Sequence, residues 1–259
     1  MNNLIQIQGK KIWYNFISPK RRDGKKPLII FLHEGLGCSE QWKDFPELIC
    51  NNFNVSGLVY DRYGYGKSQE IGENRTTDFL QQEAFVFLPD LILKLNITEP
   101  LIFFGHSDGG TIALLYASKF SEKISGLITE ADHVFIEPLS AKGIRSAVAS
   151  YDKGKLKSSL EKYHEGKTES MFRSWSGTWL SEDGLKWNIE SLLPGINAPV
   201  LAIQGKNDNY GSELQLISKL KNISGRVEIL YLPNCGHHPH HQERERVLQK
   251  TIDFISGIL

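Results

Sequence analysis

A chain of 259 residues, 40% hydrophobic and 23% charged, is long enough to close one large core and has the composition of an ordinary globular protein. Thirty Lys plus Arg balance thirty Asp plus Glu, which excludes a net field that would draw the chain to nucleic acid or to an anionic membrane. The three cysteines, an odd count without regular spacing, fit buried thiols in a reducing compartment rather than a disulfide framework.

The opening stretch, Met1 to Lys11, lacks the continuous apolar core of a signal peptide, and no later run reaches the length of a membrane span. A cytoplasmic protein is therefore expected. Leu4 to Ile7 and Ile12 to Ile17 flank Gly9-Lys10-Lys11 and read as an antiparallel hairpin. Leu28 to Leu32 is short and wholly apolar, as in a strand buried on both faces of a parallel sheet. It runs into His33-Glu34-Gly35-Leu36-Gly37, a flexible loop, and Trp42 follows. Val55 to Tyr60 is a second buried strand and closes on Asp61-Arg62-Tyr63-Gly64-Tyr65-Gly66-Lys67-Ser68. Thr76 to Leu95 has helical periodicity, with Leu80, Ala84, Phe87, Leu88 and Leu91 on one face, and Pro89 should kink or split it.

Leu101 to Phe104 is an unbroken apolar strand that meets Gly105-His106-Ser107-Asp108-Gly109, and a helical pattern starts at once. Ile124 to Thr129 is a further strand. After Ala198-Pro199 the alternation resumes with a strand at Val200 to Gln204, a helix at Glu213 to Leu220, a strand at Val227 to Leu232 and a closing helix at Glu243 to Ile255. Strands alternating with helices imply right-handed crossovers and a mostly parallel sheet covered on both faces. Residues 133–194 break this alternation with three helix-like segments near Ser140 to Ser150, Leu156 to Tyr163 and Glu169 to Leu180. They read as a helical lid inserted in a core made of residues 1–132 and 195–259.

The turn around Ser107 needs glycine two residues before and two after the serine, and Gly105 and Gly109 supply both. A serine held there has a strained backbone and an oxygen projecting above the sheet edge, beside a helix N-terminus that favours developing negative charge. With its flanking strand and helix this stretch resembles the nucleophile elbow of the α/β-hydrolase superfamily. The resemblance implies an α/β fold with Ser107 as nucleophile, followed in chain order by an acid and a histidine on loops after strands. Gly205-Lys206-Asn207-Asp208 resembles the acid loop, with Asp208 at the matching position, and Gly236-His237 resembles the histidine pair. Such a histidine takes the serine proton, and the acid holds its tautomer.

Several residues have competing readings. Asp132, after the strand that follows the elbow, stands where some relatives carry the acid. His237, His238, His240 and His241 together suggest a metal site, but Pro239 interrupts helical ligand spacing and no metal motif is completed. His33 and His106 read as packing and hydrogen-bonding residues, and Trp42 as core. Gly64-Tyr65-Gly66-Lys67-Ser68 lacks the first glycine of a phosphate loop, and no cofactor or metal is assigned. By resemblance to the family's His-Gly-x loop, the backbone N–H of Gly35 joins that of Asp108 in an oxyanion hole, although Glu34 stands where glycine is commonest.

The activity implied is hydrolysis of a small or medium carboxylic ester, thioester or lactone through an acyl-enzyme. Glu34, Phe135, Trp175 and Trp179 are the expected substrate contacts, Trp187 being a further aromatic of the lid. The alternatives are a carbon–carbon hydrolase of ring-cleavage dienoates, for which Arg145 and Arg173 would supply cationic groups, and a ligand-binding member of the fold with little turnover. The partner expected is a small ester-like molecule, with no nucleic acid and no membrane.

Overall fold

The computed structural model describes residues 3–18, 26–72 and 75–259. Eight strands form one sheet: β1 (Leu4–Ile7), β2 (Lys10–Ile17), β3 (Leu28–Leu32), β4 (Gly57–Tyr60), β5 (Leu101–His106), β6 (Ile124–Glu130), β7 (Val200–Gly205) and β8 (Val227–Leu232). Their order is β1-β2-β4-β3-β5-β6-β7-β8. The β1–β2 hairpin pairs antiparallel with β4, and every pairing from β4 across to β8 is parallel. Crossing β3 before β5 puts the ends of both strands side by side, and loops leaving them can meet there.

The apolar strands are buried on both faces for the reason their sequences suggest. Leu28, Ile30 and Leu32 of β3 enter one hydrophobic cluster, while Ile29 and Phe31 enter a second on the opposite face. In β5, Leu101 and Phe103 alternate with Ile102 and Phe104 in the same way. The period of two in a strand sends neighbouring side chains to opposite layers.

Around the sheet lie α1 (Phe45–Phe53), α2 (Phe79–Gln82), α3 (Leu88–Lys94), α4 (Asp108–Phe120), α5 (Pro138–Asp152), α6 (Lys155–His164), α7 (Thr168–Leu180), α8 (Leu214–Asn222), α9 (Pro239–Gln242) and α10 (Arg244–Ser256). The long helix expected over Thr76 to Leu95 is divided: α2 runs into a π-helical turn, Glu83–Phe87, before α3 begins. Pro89 has no N–H to give and its ring would clash with the carbonyl four residues back, so the widened turn absorbs it. The helix α1 carries no strong sequence signal and was not expected; Phe45, Ile49 and Cys50 bury one face of it.

The three helices between β6 and β7 line a cavity together with Ser107 and residues of the loops that leave the strands. Tyr151 of α5 stacks on Phe172 of α7 with ring centroids 3.9 Å apart. His164, fully buried at the end of α6, fastens them to the layer below: its Nδ1 accepts from the Gly66 N–H at 3.0 Å and its Nε2 donates to the Leu36 carbonyl at 2.9 Å. The Lys167 ammonium donates to the Gly66 and Ser68 carbonyls. The glycine-rich stretch after β4 is thus held from both sides, with Asp61 accepting from the Ser39 and Lys67 N–H groups, and its role is structural. Among the described residues no helix is long and apolar enough to cross a membrane.

Candidate active site

The turn at the end of β5 is as tight as its glycines require. Ser107 adopts φ 51° and ψ −120°, a left-handed conformation costly for a residue with a side chain, and it caps α4. A Cβ on Gly109 would lie 2.0 Å from the Leu32 carbonyl oxygen, and one on Gly105 would lie 2.4 Å from that of Gly109. The strand, the turn and the neighbouring β3 therefore approach as close as backbone permits. The Ser107 N–H donates to the Glu130 carbonyl at 2.8 Å, which braces the strained residue against β6.

The loops after β7 and β8 bring two distant residues to this serine. His237 Nε2 lies 3.0 Å from Ser107 Oγ, and its Nδ1 lies 2.9 and 3.0 Å from the two oxygens of Asp208. All three side chains are buried. The Asp208 carboxylate also accepts from Gln204 Nε2 at 2.9 Å and from the Tyr210 N–H at 2.8 Å. Burial alone would raise the Asp208 pKa, but the neighbouring imidazole and these hydrogen bonds outweigh it and hold the carboxyl at about 2. With Asp208 ionised, His237 carries its proton on Nδ1 and presents the Nε2 lone pair to the serine hydroxyl. Asp132, the competing acid, is occupied elsewhere: it is fully buried and pairs with Lys219 Nζ at 2.6 Å.

The remaining histidines separate into distinct roles. His106 Nε2 donates to the His237 carbonyl at 2.6 Å and so steadies that loop. His33 bridges its own loop, donating from Nδ1 to the Glu34 carbonyl and accepting the Arg62 N–H at Nε2. His240 pairs with the buried Glu130 at 2.6 Å and lies against Trp42, which packs between Phe31, Phe104 and His240 in the core. His238 faces Glu34, and His241 stacks beside His240. The side chains of Glu34, His106 and His237 bring ligand atoms within 4.8 Å of one another. Both nitrogens of His237 already have partners in Asp208 and Ser107, so this set does not fit a metal as it stands.

Above Ser107 lies a cavity of about 260 Å³, between the strand ends and the three inserted helices. Glu34, Gly35, Asp108, Trp175 and Trp179 line it with Ser107 and His237, as do Tyr210 and His238 from the loops after β7 and β8 and His133 from the stretch after β6. Ile144, Leu156, Leu160 and Tyr163 form an apolar wall contributed by α5 and α6. Among the described residues neither the Gly35 nor the Asp108 N–H donates a hydrogen bond within the protein. Phe135 corrects the sequence-based expectation: it packs against the core and bridges Asn188, while its neighbour Ile136 reaches the cavity. The short stretch after β6 is extended there, so adjacent side chains point to opposite sides. Trp187 supports Trp179 edge-on at 5.3 Å instead of lining the cavity. Arg145 and Arg173 do not line it either; Arg173 binds Asp152 and Glu169 at the surface. Tyr210, whose ring centroid is 4.6 Å from that of His237, and His164 carry no sequence signal, because their roles arise from loops that meet only in the fold.

Comparison with known proteins agrees with this architecture. A family model described as the alpha/beta hydrolase fold matches residues 27–192. The chain belongs to the α/β-hydrolase fold family. This hydrolase is 26% identical to a proline iminopeptidase of Saccharolobus solfataricus over 98% of its own length and 91% of that protein's. It is 21% identical to a monoglyceride lipase of Rattus norvegicus, covering 98% of the chain and 88% of the lipase. Among solved structures, an enol-lactonase from Burkholderia xenovorans superposes with a TM-score of 0.76 at 17% identity, covering 98% of this chain and 99% of that one. A thermophilic esterase from Thermogutta terrifontis gives 0.74 at 18% identity, with 98% of each chain covered.

Proposed function

We propose that this hydrolase cleaves small or medium carboxylic esters, thioesters or lactones through an acyl-enzyme at Ser107. The observation that carries the reading is the 3.0 Å contact of His237 Nε2 with Ser107 Oγ, backed by Asp208 on the other ring nitrogen. In this reaction Ser107 Oγ attacks the ester carbonyl as its proton passes to His237 Nε2, and Asp208 stabilises the imidazolium. The N–H groups of Gly35 and Asp108 receive the charge on the carbonyl oxygen. His237 returns the proton to the departing alcohol, then takes one from a water that attacks the acyl-serine, releasing the acid and restoring Ser107.

The cavity supports an apolar acyl or alcohol portion held by Trp175, Trp179 and the α5–α6 wall, with Glu34 at its polar end. Residues 133–194 act in this reading as a lid on a core of residues 1–132 and 195–259. A dienoate substrate is disfavoured because neither Arg145 nor Arg173 reaches the cavity. The peptidase relatives do not decide the substrate, since the loop here reads His33-Glu34-Gly35-Leu36-Gly37 and not the His-Gly-Gly-Pro-Gly usual in that group. Turnover of a panel of nitrophenyl esters, with fluorophosphonate labelling of wild type and Ser107→Ala, tests the proposal. Labelling that persists in Ser107→Ala, or no turnover of any ester, refutes it.

A further inference from the structure

Seven carboxylates are buried among the described residues. Six of them, Asp61, Glu83, Glu130, Asp132, Glu137 and Asp208, accept at least one hydrogen bond from the protein. Asp108 is the exception. It is 6% exposed and lines the cavity, yet no described residue donates to either of its oxygens. Oδ2 is fully buried without a partner, and Arg62 Nη2 stands 3.6 Å from it, beyond hydrogen-bond reach. An unserved buried acceptor is costly, and native proteins leave few of them outside functional sites.

The location is informative. An ideal Cβ on Gly35 would lie 2.9 Å from Asp108 Oδ2 and 2.4 Å from Trp175 Nε1, so the carboxylate and the indole N–H flank the same backbone position. Gly35 is the residue whose N–H faces the scissile carbonyl in the proposed reaction. Oδ2 itself is closed off, but Oδ1 is not and accepts no hydrogen bond from the described residues, so a donor and an acceptor border that carbonyl, ready for a group that both gives and takes a hydrogen bond. A hydroxyl does both. An ammonium is a poorer match, because the Arg62 guanidinium already stands 3.6 Å behind Asp108. Burial also raises the Asp108 pKa, against the pull of Arg62, and a hydroxyl serves either protonation state of the carboxyl.

We propose that Asp108 selects esters that carry a free hydroxyl two to four bonds from the scissile carbonyl carbon, accepting a hydrogen bond from that hydroxyl while Trp175 Nε1 donates to it. The inference rests on the ester-hydrolase reading above and names its substrate class. The hydroxyl sits on the acyl side, as in a 2-hydroxy acid, or on the alcohol side, as in a diol monoester.

Two matched pairs separate these sources: ethyl 2-hydroxybutyrate against ethyl butyrate, and 2-hydroxyethyl butyrate against propyl butyrate. Values of kcat/KM are corrected for the alkaline hydrolysis rate of each ester. In wild type one pair should favour its hydroxylated member by roughly 10- to 100-fold, the factor expected of a hydrogen bond to a charged group. Asp108→Ala should bring that ratio to about one, and Asp108→Asn, whose amide oxygen still accepts, should retain part of it. If the alanine variant does not fold, a ratio in Asp108→Asn equal to or above that of wild type overturns the inference. Equal rates for both members of both pairs in wild type, or a ratio that survives Asp108→Ala, overturn it as well. A 2-aminoethyl ester preferred over the 2-hydroxyethyl ester assigns the site to a cation and also refutes it. No turnover of any member refutes the ester-hydrolase reading itself.

Discussion

Glu34 Oε2 lies 3.3 Å from His238 Nε2, and this contact joins the loop after β3 to the loop after β8. Glu34 precedes Gly35, the proposed oxyanion donor, and His238 follows His237, the proposed base. A residue that departs from the family's usual glycine thus couples the two loops that must hold their separation during catalysis. Burial opposes the charge on Glu34, but His238, with His106 and His237, holds its carboxyl well below 4.5. The Glu34 charge in turn raises His238 above 6.5.

The pair makes stability depend on pH at both ends. The lowered Glu34 contributes in full above 4.5 and loses its contribution as pH falls through its depressed value. The raised His238 contributes in full below 6.5 and loses its contribution as pH rises through its elevated value. The difference in Tm between wild type and Glu34→Gln should be largest between about 4.5 and 6.5 and narrow on either side. A difference that does not vary with pH refutes the coupling.

Asp132 and Asp208 should separate stability from activity. Asp132→Asn leaves the fully buried Lys219 ammonium without its anion, which costs about 3–5 kcal/mol, or roughly 6–20 °C in Tm. The folded fraction should retain most of its esterase activity. Asp208→Asn should melt closer to wild type and lose on the order of 10⁴ in kcat, because the imidazole loses its orienting partner. Thermal melts and kcat measured on the same preparations check both halves, and a larger kcat loss in Asp132→Asn would reverse the assignment.

Among the clustered histidines, His237→Ala should be as inactive as Ser107→Ala. His241→Ala should cost little. His240→Ala should lower Tm strongly, since it strands the buried Glu130 and removes the ring packed on Trp42, while activity per folded molecule changes only a few-fold. Active-site titration with a fluorophosphonate supplies the folded count.

Gly35→Ala probes the oxyanion loop directly. The added Cβ meets Trp175 Nε1 at 2.4 Å and Asp108 Oδ2 at 2.9 Å, so either the loop or these two side chains beside Ser107 must shift. Loss of one oxyanion donor costs about 10²–10³ in kcat, and this variant should fall in that range with a circular dichroism spectrum like that of wild type. Near-normal kcat would remove Gly35 from the hole.

Substrate charge gives a further check. Asp108 has the Arg62 guanidinium behind it and Glu34 faces the His238 imidazole, so a carboxylated ester meets less repulsion than two bare carboxylates would exert. Among the described residues no arginine lines the cavity to attract it. A neutral ester should be preferred to a hemisuccinate with the same leaving group by several-fold at low salt, and the gap should shrink at high salt. A faster hemisuccinate at low salt would restore the dienoate reading.

The sequence alone determined what depends on local pattern. Wholly apolar runs such as Leu28–Leu32 and Leu101–Phe104 specify buried parallel strands, because only such strands hide both faces. Glycines at 105 and 109 specify the elbow, because no Cβ fits there. Periodicity also located the three inserted helices to within a few residues. Whatever depends on the meeting of distant segments was decided by the tertiary structure. Asp132 and Asp208 both follow strands in sequence, and only the packing of α8, which carries Lys219 to Asp132, leaves Asp208 to the imidazole. Phe135 and Ile136 are equally apolar, yet the path of one extended stretch sends only Ile136 to the cavity. Glu34 looked like a departure from a motif until the fold set His238 against it. Side-chain partners separated by 87 to 204 residues are fixed by how the layers pack, and no local pattern records that distance.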